Sequence, residues 1–356
     1  MQKSFQQEKF LYLNNEDYAP TLGAGPYITI KDPMLNFYTG KTGLPGLKIN
    51  LRKRFAIFLA ATAFIASFLL PACGTKPYEH KFADTLAVFK DDLGNRVEVV
   101  PGRGRVMGLC PSMTEMLYAV CPDTMICGIT EACNYPPAAM HKQRVKVFPP
   151  DLEGILRLKP SLIFTEEGMT GPENAEKLRS MGVPVYYQSY LTIPDVINGL
   201  RDIGKLTKCE ARANKVADSL AAIEKVMRET GESKAKKPKV LVITWKNPIY
   251  AHGYNTIMTD KLALAGADNA LDAKLGKQYP ELSREYLLKL DPDIIFGGTP
   301  EDMEKNFFSI YPELRRLKAY KNKHLYALTD DLATRPGPRV LQAAAEMKKL
   351  VEQAGF

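Results

Sequence analysis

The sequence predicts an α/β protein of two similar lobes, each built on a parallel sheet, with a cleft between them suited to a small ligand. Two internal echoes and a regular alternation of strands with helices carry that expectation. Glu153-Gly154-Ile155-Leu156-Arg157-Leu158-Lys159-Pro160-Ser161-Leu162-Ile163-Phe164 aligns, 132 residues on, with Glu285-Tyr286-Leu287-Leu288-Lys289-Leu290-Asp291-Pro292-Asp293-Ile294-Ile295-Phe296. Each copy is an acidic residue opening a short helix, then a proline stop, then an apolar strand. Ahead of each stands a second echo, Met113-Thr114-Glu115-x-Leu117 against Met258-Thr259-Asp260-x-Leu262. Any helix–turn–strand unit has some of this apolar rhythm, but two echoes in the same order describe a repeated lobe.

The elements follow in order. Residues 88–100 read as a hairpin, with Asp91 to Asn95 supplying the turn. A short strand over 105–109 is broken by Cys110-Pro111-Ser112, and a helix over 114–120 follows with Ser112 as its cap. A strand at 125–129 ends in the proline-rich loop Asn134-Tyr135-Pro136-Pro137. Helix 151–158, strand 161–165, helix 173–181 and strand 183–187 come next. Strands separated by helices of this length imply parallel pairing through crossovers. From 193 to 229 the pattern is helical with a break near Thr207-Lys208, and Val216, Leu220, Ile223 and Val226 mark an apolar stripe on the second piece. A lysine-rich exit loop over 233–239 leads to a restart: strand 240–244, helices 258–265 and 284–290, strands 293–296 and 324–328, and a closing helix over 339–353. The predicted organisation is an N-terminal lobe over 84–208, an interlobe helix over 209–232 and a C-terminal lobe over 238–356. A helix joining two lobes resists hinge motion, because bending it breaks i→i−4 hydrogen bonds.

The first quarter of the chain reads differently. Arg52-Lys53-Arg54 precedes an uncharged apolar run over 55–70, and Leu70-Pro71-Ala72-Cys73 follows. A basic head, an apolar centre and a small residue before the cut describe an export signal over 51–73. Cysteine directly after the small residue resembles the bacterial lipoprotein box, so Cys73 is the expected site of lipid attachment. The alternative is an uncleaved anchor, although the run is short for a span that needs about 20 residues. Either way the remainder is expected outside the cytoplasm, on a membrane surface. Residues 1–50 read as a non-native or disordered extension, with translation starting near Leu51. Tyr38-Thr39-Gly40-Lys41-Thr42 looks like part of a phosphate loop, but Leu35 stands where its first glycine belongs.

Half of the net charge of +8 lies in that quarter. Residues 1–72 hold eight Lys/Arg and four Asp/Glu, which leaves 40 against 36, or +4, for the rest. No basic run is interleaved with aromatics, so nucleic acid is not an expected partner. Beyond Cys73, the cysteines are Cys110, Cys121, Cys127, Cys133 and Cys209, in no zinc spacing. One or two disulfides among the first four, or buried free thiols throughout, are both open readings.

Arg105-Val106-Met107-Gly108-Leu109-Cys110-Pro111-Ser112-Met113-Thr114-Glu115, then Asn134 to Pro137, then Asp151 to Pro160, is similar to the substrate-binding proteins of metal-chelate ABC importers. Leu282-Ser283-Arg284-Glu285 and Arg335-Pro336-Gly337-Pro338-Arg339 extend the match, which runs over about residues 84–354. That family carries cobalamin, haem or ferric siderophores, and the sequence looks most like its cobalamin binders. The resemblance implies two Rossmann-like lobes, a rigid connecting helix, a ligand held between the lobes and little closure. It implies that Glu153 and Glu285, the residues the repeat pairs, dock on arginine pockets of a permease dimer that works with ATPase subunits. One carboxylate per lobe suits a two-fold partner, through bidentate pairing with arginine. It also implies a cleft lined by aromatics at Phe148 and Tyr279, with Arg335 on the rim, and no resident cofactor besides the metal-chelate ligand. Trp245, the only tryptophan, is expected to face the same cleft. Two positions depart from the family pattern: Ala132 stands for a tyrosine and Glu166 for a tryptophan. These departures leave another corrinoid, haem or a siderophore open as the ligand.

An enzyme is the competing reading. No Gly-x-Ser-x-Gly elbow and no Gly-x-Gly-x-x-Gly turn is present. His80, His141, His252 and His324 are dispersed without ligand spacing. His252 or Tyr254 could ligate a haem iron. The expectation is a binding protein that performs no covalent chemistry.

Overall fold

Every residue of strand β3 (Val106–Gly108) and of strand β11 (Ile294–Phe296) is buried, and each lies inside a parallel sheet. Such strands read as continuous apolar runs because crossover helices cover both faces. The computed structural model describes residues 85–234 and 236–356. The expected extension at 1–50, the signal at 51–73 with Cys73, and His80 lie outside the described residues.

The chain enters through a hairpin of β1 (Ala87–Lys90) and β2 (Arg96–Val99), whose turn is closed by Asp91 accepting from the amides of Leu93 and Asn95. The first five-stranded sheet has the order β5-β4-β3-β6-β7, all parallel, with β4 (Ile126–Thr130), β5 (Arg144–Val145), β6 (Leu162–Glu166) and β7 (Val185–Gln188). Its helices are α1 (Pro111–Val120), α2 (Leu152–Arg157) and α3 (Pro172–Ser180). Helix α1 starts earlier than expected. Proline fills its first position, where a missing N–H costs nothing, Cys110 is the N-cap, and Ser112 sits inside the first turn. Gly108 permits the tight strand-to-helix corner, since a Cβ there would stand 2.7 Å from that of Met113.

Helices α4 (Ile193–Thr207) and α5 (Glu210–Glu232) are separated by Lys208 in the left-handed region, φ 57°, at the predicted break. Thr192 and Asp195 form a reciprocal capping box at the start of α4. The buried face of α5 differs from the expected stripe. It consists of Ala213, Ala217, Leu220, Met227 and Gly231, while Val226 is 46% exposed. Close approach decides where that face begins: a Cβ on Gly204 of α4 would come within 2.4 Å of Ala213, so only a small residue fits at that crossing. The bulkier Val216 and Ile223 are left partly exposed.

The second sheet has the order β10-β8-β11-β12, parallel, with β8 (Lys239–Trp245), β10 (Asp268–Asn269) and β12 (Leu325–Tyr326), and with β9 (Tyr250–Ala251) antiparallel on β8. Helices α6 (Ile257–Leu264), α7 (Arg284–Leu290) and α8 (Pro300–Met303) follow its strands, then α9 (Lys318–Lys321), α10 (Asp330–Thr334) and the closing α11 (Val340–Gln353). One core cluster of this lobe gathers Leu241, Ile295, Met303, Phe307, Phe308 and Leu325, and another packs Val242, Phe296, Met258, Leu262 and Met347 on the opposite sheet face. The two lobes belong to one compact unit. Among the described residues no helix is long and apolar enough to cross a membrane.

Candidate ligand-binding site

In an open parallel sheet the loops that follow the strands' carboxyl ends are where ligands settle. Here the two sheets turn those ends toward each other. Arg335, beyond β12, bonds to Glu115 on α1 at 3.1 Å and to Asn134 after β4 at 2.7 Å. Arg339 adds two bonds to the same carboxylate, at 2.8 and 2.6 Å, and lies over the Tyr135 ring at 4.0 Å. Asn134 also donates to Asp331 at 2.7 Å. Glu115 is buried, so this crossing of the lobes is a desolvated ion pair in which every carboxylate oxygen is satisfied.

Four aromatic side chains stand exposed in the loops at this edge. Phe148 follows β5 and is 66% exposed; Trp245 ends β8 and is 62% exposed. Tyr279 and Tyr254 are 54% and 47% exposed. The Trp245 indole N–H donates to the Asn247 carbonyl at 2.8 Å, which fixes its ring plane. Tyr279 stacks at a tilt on His252, centroids 5.3 Å apart.

A polar floor lies beneath. Glu166, the last residue of β6, accepts from the Ser112 hydroxyl at 2.7 Å, and Ser112 in turn meets the Cys110 thiol at 3.0 Å. Burial pushes the Glu166 carboxyl up to about 7, against the opposing pull of the Ser112 bond and of Lys261. Lys261, on α6 of the other lobe, is fully buried, with its ammonium on the carbonyls of Ala333 at 2.7 Å and Leu332 at 3.5 Å. Burial brings it down to about 7, and the Glu166 charge opposes that fall. Burial and then Lys261 lower His252 to about 4, which leaves it a neutral imidazole at physiological pH. Its Nδ1 is buried without a hydrogen-bond partner. Tyr279 is raised by burial and then by Glu166. Glu166 of one lobe thus lies within electrostatic reach of Lys261 and Tyr279 of the other.

Of the residues singled out in the sequence, Phe148, Glu166, Trp245 and Tyr279 lie along this edge. Arg335 is engaged within the protein. Its guanidinium is engaged by Glu115, Asn134 and Asp331 with the side chain 13% exposed, so it braces the lobes. Ser112 and Lys261 were overlooked. Lys261 had a signal: the echo pairs it with Met116, which is completely buried, and a lysine in a methionine's core position asks for a partner. Among the described residues no three His, Cys, Asp or Glu side chains gather as a metal site, and all five described cysteines are free.

Glu153 and Glu285 occupy the same position in equivalent helices. Asp151 caps α2 by accepting from Gly154, Ser283 caps α7 by accepting from Tyr286, and each glutamate comes two residues after its cap. A crossover helix begins at the carboxyl edge of its sheet, so both glutamates lie at that level of their lobes. Both are exposed, and neither has an ion-pair partner among the described residues. Hydrogen bonds to its own amide and to Ser283 lower the Glu285 carboxyl, keeping it charged. A separate hollow of about 480 Å³ opens at the opposite, amino edge of the first sheet, lined by Arg105, Lys159, Pro160, Ser161 and Pro184, away from the facing ends.

Comparison with known proteins agrees with this geometry. The chain is 27% identical over 247 residues to a vitamin B12-binding protein of Pectobacterium carotovorum subsp. carotovorum (strain PC1), covering 68% of this chain and 86% of that protein. It is 25% identical over 314 residues to an uncharacterized ABC transporter substrate-binding lipoprotein of Bacillus subtilis (strain 168), covering 85% and 98%. The periplasmic vitamin B12 binding protein of Vibrio cholerae superposes with a TM-score of 0.62 at 24% identity, covering 71% of this chain and 98% of that one. A periplasmic haem-binding protein from Roseiflexus sp. RS-1 in apo form gives 0.62 at 22% identity, covering 72% and 100%. Two parallel-sheeted lobes facing across their strand ends, together with a family profile match over residues 107–332, establish that the chain belongs to the periplasmic binding protein family.

Proposed function

We propose that this protein captures cobalamin or a related corrinoid between its lobes and delivers it to an ABC permease dimer driven by ATPase subunits. The observation that carries the reading is the set of exposed aromatics, Phe148, Trp245 and Tyr279, at the facing strand ends. Broad flat rings bury a macrocycle face well, whereas an inorganic ion would not use them. Relatives named as vitamin B12-binding proteins support the same ligand class. Affinity comes from stacking plus hydrogen bonds from the floor, where Glu166 and Ser112 suit amide groups, and no bond is made or broken. Glu153 and Glu285 are the docking anchors, one per lobe, over residues 84–208 and 238–356. Cys73, at the end of the signal at 51–73, carries the lipid that tethers the protein to the outer face of a membrane.

Haem is the second reading, and one observation favours it: the neutral His252, beside Tyr279, has a buried Nδ1 with no hydrogen-bond partner of its own. Titrating the protein with cobalamin, haem and a ferric siderophore separately, with Trp245 fluorescence as readout, decides between them. Quenching by cobalamin at micromolar concentration is expected; silence from all three ends the ligand class. Glu153→Ala combined with Glu285→Ala should abolish cellular uptake and leave affinity unchanged. An equal loss of affinity would show that the two carboxylates belong to the ligand site.

A further inference from the structure

Glu166 ends β6 at a point where the two lobes approach closely: a Cβ on Gly337 of the C-terminal lobe would lie 3.8 Å from the carbonyl of its neighbour Ser112. One carboxyl oxygen, Oε2, accepts from the Ser112 hydroxyl at 2.7 Å. With its proton spent on Glu166, Ser112 can only accept from the Cys110 thiol, 3.0 Å away. This row of donors fixes the carboxyl in place. The other oxygen, Oε1, has no donor among the described residues. Nor is it one of the sealed, unpartnered side-chain atoms, which are His252 Nδ1 and Glu346 Oε2. Oε1 is therefore an open acceptor on a partly buried, immobilised side chain at the floor of the cleft.

We propose that Glu166 is a specificity-determining residue, whose free oxygen takes an amide donor on the ligand rim and turns away a carboxylate, a selection that rests on the corrinoid reading of the cleft. An amide offers two donors and an acceptor, whereas an ionised carboxylate offers acceptors only. A ligand carboxylate set against Oε1 would meet a like charge and leave both acceptors without a donor, in surroundings where that costs most. A site built to hydrogen-bond a donor rejects the analogue lacking it far better than an apolar wall rejects a change of size. Aromatic walls alone accept any flat macrocycle. Glu166 adds the distinction between a macrocycle rimmed by amides, such as a corrin, and one that turns carboxylates to the floor, such as a haem.

The protonation of the carboxyl sets how strict that distinction is. Burial pushes Glu166 up to about 7. Around it stand Ser112 and Cys110 on the α1 side, Gln188 paired with it on β7, Tyr190 beyond β7, and Lys261 and Tyr279 of the other lobe; Glu167, next in the chain, accepts from Ser189 instead. Burial and then Glu166 raise Cys110, Tyr190 and Tyr279, so all three stay neutral near pH 7. Lys261, brought down to about 7 by burial, titrates alongside, and a variant of Glu166 alone separates the two. A protonated Glu166 can donate to a ligand carboxylate and an ionised one cannot. Rejection of the carboxylate therefore strengthens as pH rises through 7.

The test titrates the full chain by calorimetry, at pH 6 and at pH 8, with cobalamin and with its mono-acids, each carrying one rim propionamide hydrolysed to the acid. At pH 8 at least one mono-acid should bind about tenfold more weakly than cobalamin, the loss of one charge-assisted hydrogen bond. At pH 6 that ratio should shrink by about threefold. Glu166→Gln spends its oxygen on Ser112 and turns an amino group toward the ligand, so the ratio should fall to about one at both pH values. Equal binding of cobalamin and every mono-acid by the unaltered protein at pH 8 overturns the selection, as does a ratio that survives Glu166→Gln. Failure of cobalamin to bind at all overturns the corrinoid reading, and the selection with it, before amide and acid are compared. The ratio in the unaltered protein decides the matter even where the variant does not fold.

Discussion

The two repeated lobes place an acid at the same point of an equivalent helix, Glu115 on α1 and Asp260 on α6, and both use it to tie the molecule together. Glu115 holds Arg335 and Arg339 from the opposite lobe. Asp260 holds Arg228 of α5 and caps the amide of Ile193 at the start of α4. One helical turn has therefore been kept twice for the same work. The neighbouring positions have not been kept. Met116 is apolar core, but its counterpart Lys261 is a buried lysine; Glu166 ends β6, but its counterpart beyond β11 is Gly298. What the lobes share is bracing, and where they differ is at the facing strand ends. That division separates architecture from recognition without reference to any bound ligand.

The largest expected effect concerns the braces. Glu115→Ala strands two guanidinium groups in a buried interface and should cost about 3–5 kcal/mol in urea denaturation. Asp260→Ala breaks a half-buried pair and one cap, for about 1–3 kcal/mol. An Asp260 cost equal to that of Glu115 would remove the distinction between an interlobe lock and a helix tie.

The next effect sharpens the divergent floor. The Glu166 carboxyl is raised from 4.5 to about 7, so the folded state holds its proton longer than the unfolded state does. Its contribution is fully favourable below 4.5 and is lost as pH rises through 7. Glu166→Gln, which still accepts from Ser112, should therefore stabilise the protein at pH 8 by about 2–3 kcal/mol. The gain should shrink to under about 1 kcal/mol at pH 5. A gain independent of pH would mean that the carboxyl is not desolvated at that strand end.

The smallest effect tests α5. Val226→Lys on the exposed side should change stability by no more than about 0.5 kcal/mol. Ala217→Leu on the contact line should cost about 1–3 kcal/mol by overpacking. Reversal of that order would restore the stripe first read from the sequence.

How much was legible can be argued from these same residues. Short-range pattern is written in the chain. The echo of Glu153 and Glu285, the break at Thr207-Lys208 and the apolar runs that became β3, β6 and β11 depend on neighbours a few positions away, so spacing alone reveals them. The α5 face was misjudged because side-chain size on a close helix contact is set by the partner helix, and Gly204 is not visible from residues 210–232. The partners of Arg335 were hidden for a similar reason. The sequence shows a guanidinium, and only the fold brings Glu115 from 220 residues away to occupy it.

The sequence by itself determined two lobes, their strand order in time, the linking helix and the paired glutamates, because these follow from local periodicity and repetition. Tertiary structure alone decided which charges are buried together. Glu166, Lys261 and His252 meet where two sheets turn their ends toward one another, and desolvation at that meeting changes what each group can do.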